Sequence, residues 1–247
     1  MPARWLNALD RVGNMPRMTA DEVTTRYHEK FNLLFARGRE AVLAGTHHRD
    51  GPLVDGGRWG ISVVLRPDPF ATAELEAVAR DALQVAGGGH WPTGSAATVH
   101  VTVLPLEPYR EKVPDSDPDL TRYVAGLHGA VARSRPVRLR FAGLTLSPVG
   151  VMACAYPDDD AADALAANLK HAIGRTRWSD RDIWYATMLH FAGPVRRPWR
   201  LVDWVAARRR LDPVPARIAK VDLVGWRSDA DGAQPLPVPL ASAPLAG

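Results

Sequence analysis

A histidine and a threonine stand two positions apart in the run TVHVTVLP at 98–105. Valines at 99, 101 and 103 form one face of a strand, which leaves His100 and Thr102 together on the other. An imidazole titrates near neutrality and can take or give a proton, while a hydroxyl donates a hydrogen bond to an anionic oxygen. On a strand face that is not the apolar one, such a pair either meets water or lines a cleft. In the second case its partner must lie elsewhere in the chain.

Composition bounds the classes open to that chemistry. A chain of 247 residues, 46% hydrophobic and 23% charged, has enough apolar side chains for a sizeable core and fits a soluble globular protein. The single cysteine, Cys154, excludes an intramolecular disulfide framework and fits a reducing, cytoplasmic setting. Charges interrupt the apolar residues of MPARWLNALDRVG, so a signal peptide is not expected, and no run of about 18 apolar residues predicts a membrane span. The net charge of +4 rests on 27 arginines against 4 lysines, a balance compatible with an anionic ligand. No long basic tract interleaved with aromatics argues for a stable DNA complex.

Several elements are needed to position His100. TADE at 19–22 reads as a capping box for a helix over 19–44, and the glycine-rich loop AGTHHRDGPLVDGG follows it. His47 and His48 in that loop lack further metal ligands nearby and are expected at the surface. A buried strand over 58–69, an amphipathic helix over 71–86 and the strand of His100 come next. A helix around Leu120–Val131, strands at 137–146 and 150–156, a helix at 160–173 and a strand at 183–191 follow. The pattern then predicts a short helix over 201–210, a final strand over 216–226 and an unstructured tail with four prolines in fifteen residues.

Two of these stretches resemble each other at an offset of 90. GISVVLRPDPFATAELEAVA begins at Gly60 and GVMACAYPDDDAADALAANL at Gly150, each a strand, a Pro-Asp turn and a helix. Each leads to a further strand that holds a histidine, which implies two pseudo-equivalent lobes and puts the partner of His100 on the 183–191 strand. The motif HVTV at 100–103, the repeat, and FAGLTL before the second lobe resemble the 2H phosphoesterase superfamily, which includes the bacterial RNA 2′,3′-cyclic phosphodiesterases often labelled 2′-5′ RNA ligases. The resemblance spans roughly residues 45–226.

That resemblance implies an α+β, bilobal fold: two pseudo-symmetric lobes of antiparallel sheet, helices outside, a central cleft, and here an N-terminal helical extension. Its boundaries would be 1–56 for the extension and loop, 57–227 for the bilobal domain and 228–247 for the tail. It further implies one histidine as general base and another as general acid on a phosphodiester, with hydroxyls stabilising the phosphate oxygens. The expected substrate is a small nucleotide or RNA-end phosphodiester, with no metal, cofactor or membrane involved; a protein partner is not specified.

The second motif departs from the family pattern His-x-Thr-Leu-x-Arg-Phe. In one register of YATMLHFAGP, Thr187 keeps the hydroxyl, Tyr185 replaces the histidine and His190 replaces the arginine. In the other, His190 is the motif histidine and Ala192 replaces the threonine. The alternation of Ala186 and Met188 with Val101 and Val103 favours the first, while the offset of 90 favours the second. In the first, an ideal strand points His190 away from the face of Thr187, and only a bulge or the nearby turn returns it. The altered motif also leaves open a protein of this fold that acts on another small substrate or only binds a ligand. His100, Thr102, Thr187, His190 and Tyr185 are the candidate catalytic residues, and Trp91, Tyr109 and Arg58 the candidate substrate contacts. Trp184, Arg66 and the arginines at 196–200 and 208–210 are weaker candidates, better explained by core packing or a solvated face.

Overall fold

In the structure, a computed structural model, residues 20–174, 182–229 and 234–246 are described. The elements are α1 (Ala20–Leu43), β1 (Ser62–Leu65), α2 (Pro69–Ala86), β2 (Val101–Pro105), α3 (Pro118–Val131), β3 (Val137–Ser147), β4 (Gly150–Pro157), α4 (Ala161–Ile173), β5 (Trp184–His190), α5 (Pro198–Ala206), β6 (Val214–Ile218), β7 (Lys220–Ser228) and β8 (Pro235–Pro244). No helix among the described residues is long and apolar enough to cross a membrane.

Helix starts follow from local chemistry. Asp68 caps α2 by accepting from Ala71 N at 3.0 Å, with Pro69 at the first helical position. Asp117 does the same for α3 through Asp119 N and Leu120 N, again followed by a proline. The α2 stripe Ala71, Leu75, Ala79, Ala82 and Ala86 is buried, as its period requires. The capping box at 19–22 lies outside the described residues.

All strands pair antiparallel in the order β6-β3-β4-β5-β2-β1-β7-β8. The order divides into two halves of four that meet where β2 crosses β5 at the register pair Val101 and Ala186. A pseudo-twofold through that pair exchanges β2 with β5, β1 with β4, β7 with β3 and β8 with β6. Each half contains a strand, a helix and a strand, β1-α2-β2 and β4-α4-β5. The architecture is therefore α+β with two pseudo-symmetric halves.

The symmetry extends to a defect. The register passes from Val63–Leu104 to Val64–Thr102, leaving Val103 as an extra residue in β2. It passes from Val151–Leu189 to Met152–Thr187, leaving Met188 as the extra residue in β5. A bulge at equivalent positions of both central strands reverses the alternation of side chains beyond it.

Three expectations need correction. The proline-rich tail is ordered: β8 pairs along β7 from Ser228–Pro235 to Lys220–Pro244. Pro235, Pro237 and Pro239 share one parity, so the residues between them supply the N–H donors, and a bulge beside Pro239 resets the parity before Pro244. The expected final strand over 216–226 is two strands, parted at Ala219, that belong to different halves. Because one residue separates them, the sheet must curl until β6 approaches β7. The arginines of 208–210 follow α5, which ends at Ala206, rather than forming its last turn.

The N-terminal helix is no loose appendage. Phe31 and Val42 are buried in the common core, and a Cβ on Gly38 would lie 2.4 Å from the backbone of Leu146 in β3. Only glycine lets α1 approach the sheet that closely.

Candidate active site

A cleft of about 880 Å³ opens over the junction of the two halves. His100, Thr102 and Pro105 line it from β2 and the residue before it; Tyr185, Thr187 and His190 line it from β5. The pseudo-twofold through Val101 and Ala186 pairs His100 with Tyr185, Thr102 with Thr187 and Pro105 with His190. This strand pairing has the spacing of the first of the two registers. The offset of 90 misleads because the connections differ in length: it is 88 between Val64 and Met152 and 85 between Val101 and Ala186. His190 nonetheless reaches the cleft, because the extra residue Met188 restores it to the side of Thr187.

His100 is held by the turn that leads into β2. Its Nδ1 lies 2.7 Å from Thr98 O, and a carbonyl only accepts, so Nδ1 carries a proton and Nε2 is the nitrogen left to exchange one. The ring also lies 5.1 Å from Trp226, which lies 4.9 Å from Trp59, which lies 4.7 Å from His190. Two indoles therefore connect the two imidazoles along the wall of the cleft.

Asp50 completes the far end. Its backbone N–H donates to Phe191 O at 2.7 Å, which ties the loop after α1 to the end of β5. Its carboxylate accepts from His190 Nδ1 at 3.0 Å, from Arg58 Nη1 at 2.7 Å and from His48 Nε2 at 3.2 Å. Burial would raise this carboxyl, but the His190 hydrogen bond first, then the electrostatic attraction of the donors around it, outweigh it and hold it below the usual range. Burial pushes His190 down against the upward pull of Asp50, so the imidazole is neutral at neutral pH. Arg58 lines the cleft with its guanidinium anchored on Asp50.

Trp59 adjoins this cluster in a strained backbone. Its φ of 72° is the left-handed region, which costs a bulky residue about 1–3 kcal/mol and concentrates at functional sites. Its indole Nε1 is buried with no hydrogen-bond partner among the described residues.

Other expected residues lie elsewhere. Trp91 is buried behind the wall, 6.0 Å from the Trp59 ring, and does not line the cleft. Tyr109 packs with Val64, Val224 and Trp226 beside a separate cavity of about 190 Å³, where burial raises its phenol. Trp184 is a core residue whose Nε1–H donates to Asp163 at 3.1 Å. Arg66 is occupied by Asp222 and Ala97 O. His47, expected at the surface, is buried, with its Nε2–H donating to Gly193 O at 3.1 Å. The sequence reading missed Asp50, Trp59 and Trp226. Trp226 closes the apolar run of the last expected strand, whereas a lone aspartate in a glycine-rich loop gives no periodic signal.

Comparison with known proteins finds similar solved structures. TT0787 of Thermus thermophilus aligns with a TM-score of 0.49 and 19% identity over 75% of this chain and 97% of its own. A protein described as a phosphoesterase gives 0.46 and 11%, over 80% and 100% of the two chains. E. coli LigT complexed with phosphate gives 0.47 and 13%, over 76% and 98%. No family model matches the sequence, and no curated protein matches it.

Proposed function

We propose that this protein is a 2H-type phosphoesterase that hydrolyses a cyclic or 2′-linked phosphodiester of a nucleotide or RNA end, by histidine acid/base catalysis without a metal ion. The observation that carries the reading is the pseudo-twofold pairing of His100–Thr102 with Tyr185–Thr187 across one cleft.

A phosphate seated over Val101 and Ala186 would meet the Thr102 and Thr187 hydroxyls from opposite sides. Each can donate to a non-bridging oxygen as charge builds in the transition state. His100, through Nε2, takes or gives the proton that moves between water and the leaving ribose oxygen. The opposite proton role falls to a group on the β5 side, where Tyr185 and His190 both line the cleft. The Arg58 guanidinium adds positive charge at the rim, and the flat face of Trp226 offers a surface for a base.

One observation favours a second reading. Tyr185 occupies the counterpart position of His100, and a tyrosine is a poor base at neutral pH, so a protein that binds the same ligand without turnover is the rival. Phosphorus NMR of the protein with a panel of 2′,3′-cyclic nucleotides, with and without EDTA, separates the two. The proposal expects each cyclic substrate that reacts to yield one monoester, at the same rate in EDTA. Binding with no new phosphorus signal would support the rival.

A further inference from the structure

His190 receives its partners from outside its own strand. The Asp50 carboxylate is 3% exposed and accepts from three donors, the imidazole of His190 among them. Because an ionised carboxylate only accepts, the shared proton sits on His190 Nδ1. The lone pair then belongs to Nε2, and His190 lines the cleft. This is the tautomer logic by which a buried carboxylate orients a catalytic imidazole.

We infer that Asp50 is a positioning residue that fixes His190 as the Nδ1–H tautomer and presents Nε2 to the cleft, so that His190 rather than Tyr185 is the second acid/base group opposite His100. The inference rests on the phosphodiester reading. In the step it describes, His190 Nε2 takes a proton from the attacking water, whose oxygen forms the new bond to phosphorus. The bond from phosphorus to one ribose oxygen breaks, and protonated His100 gives that oxygen its proton. The two histidines then return to their starting states by exchanging a proton with solvent. Asp50 stays ionised throughout and stabilises the imidazolium that forms beside it.

The surroundings of His190 suit that role. Burial keeps the ring neutral and ready as a base, while Asp50 pulls its affinity for a proton back upward. Arg58 and His48 reach the same carboxylate and oppose that pull. Gly150 of β4 in register with His190, the Trp59 ring and the Trp91 backbone also adjoin it and bring no charge. Tyr185, with His190 in place of an arginine three positions after Thr187, is left to donate a hydrogen bond to phosphate.

Long-range proton–nitrogen NMR on protein with ¹⁵N-labelled histidine tests the tautomer without any variant or substrate. The expected wild-type signature is a protonated Nδ1 and an unprotonated Nε2 for His190 between about pH 7 and 8, above the ordinary imidazole value. Asp50→Asn should populate the Nε2–H form and lower the titration midpoint, because a raising partner is lost. With a 2′,3′-cyclic nucleotide that the wild type hydrolyses, kcat should fall about 10²-fold and KM change less than about threefold. The acid limb of kcat should move to lower pH, and Asp50→Glu should recover part of the loss. An Nε2–H tautomer in the wild type, or an Asp50→Asn profile that keeps its acid limb, overturns the inference. If Asp50→Asn does not fold, the wild-type tautomer and the Asp50→Glu pH profile decide. A wild type that shows the Nδ1–H signature yet hydrolyses no phosphodiester supports the positioning of His190 and overturns the phosphodiester reading instead.

Discussion

The contact between β4 and β5 beside His190 can be tested by adding one methyl group. Gly150 is in register with His190, and a Cβ built on it would lie 2.0 Å from Leu189 O and 3.3 Å from His190 Cα. A close C···O contact is about 3.3 Å, so Gly150→Ala must move the two strands apart by about 1.3 Å. Overpacking of this kind costs about 1–3 kcal/mol. For a chain of this size that is a fall in melting temperature of roughly 2–12 °C. The displacement falls on His190 and Asp50, and a misplacement of about 1 Å at a reacting group costs about 10²-fold in rate. The control is Gly129→Ala in α3, where a Cβ meets nothing within 4 Å. Its effect should be a gain of about 0.5–1 kcal/mol from helix propensity. Thermal melts by circular dichroism, with hydrolysis measured on the same preparations, give both numbers. A Gly150→Ala protein that melts with the wild type and turns over at its rate would refute the β4–β5 register on which the site depends.

Three further outcomes follow from the same geometry. Burial lowers His90 and His190 from 6.5, so the unfolded chain binds more protons below about that pH. Their contribution to stability is full above pH 6.5 and is lost on acidification, and Asp50, lowered from 3.8, adds a second loss only as the pH falls through its depressed folded value. Melting temperatures that rise or stay level from pH 8 to pH 5, the span bracketing the free imidazole, would contradict this. Burial pushes the Cys154 thiol far up, so a thiol reagent should label it only after denaturation; labelling of the native protein would show that β4 is accessible. Tyr185→Phe removes one hydroxyl from a half-buried side chain. It should lower kcat by about 10²-fold while leaving stability within about 0.5 kcal/mol, and an unchanged kcat would remove Tyr185 from the site.

Much of this was written in local pattern. Alternating valines place His100 and Thr102 on one face, Asp-Pro pairs start α2 and α3, and the two strand-helix-strand units stand out as a repeat. The pairing of β2 with β5 agrees with the alternating core positions and not with the offset of 90, since loop length carries no information about pairing. The bulges at Val103 and Met188 are set by strands distant in sequence, so the return of His190 to the cleft has no local signature. Asp50 is invisible for a related reason: its neighbours are donors from 140, 8 and 2 residues away, gathered by the fold. The proline-rich tail misled because proline disfavours a central strand but not an edge one.

The proposed function puts His100 in this cleft as an acid/base group on a phosphodiester. The most direct measurement is hydrolysis of 2′,3′-cyclic nucleotides in EDTA by the wild type and by His100→Ala, with ligand binding measured on both. Turnover by the wild type is expected, with a loss of about 10²–10⁴-fold in the variant, which still binds the nucleotide. Equal turnover by the two proteins would contradict it.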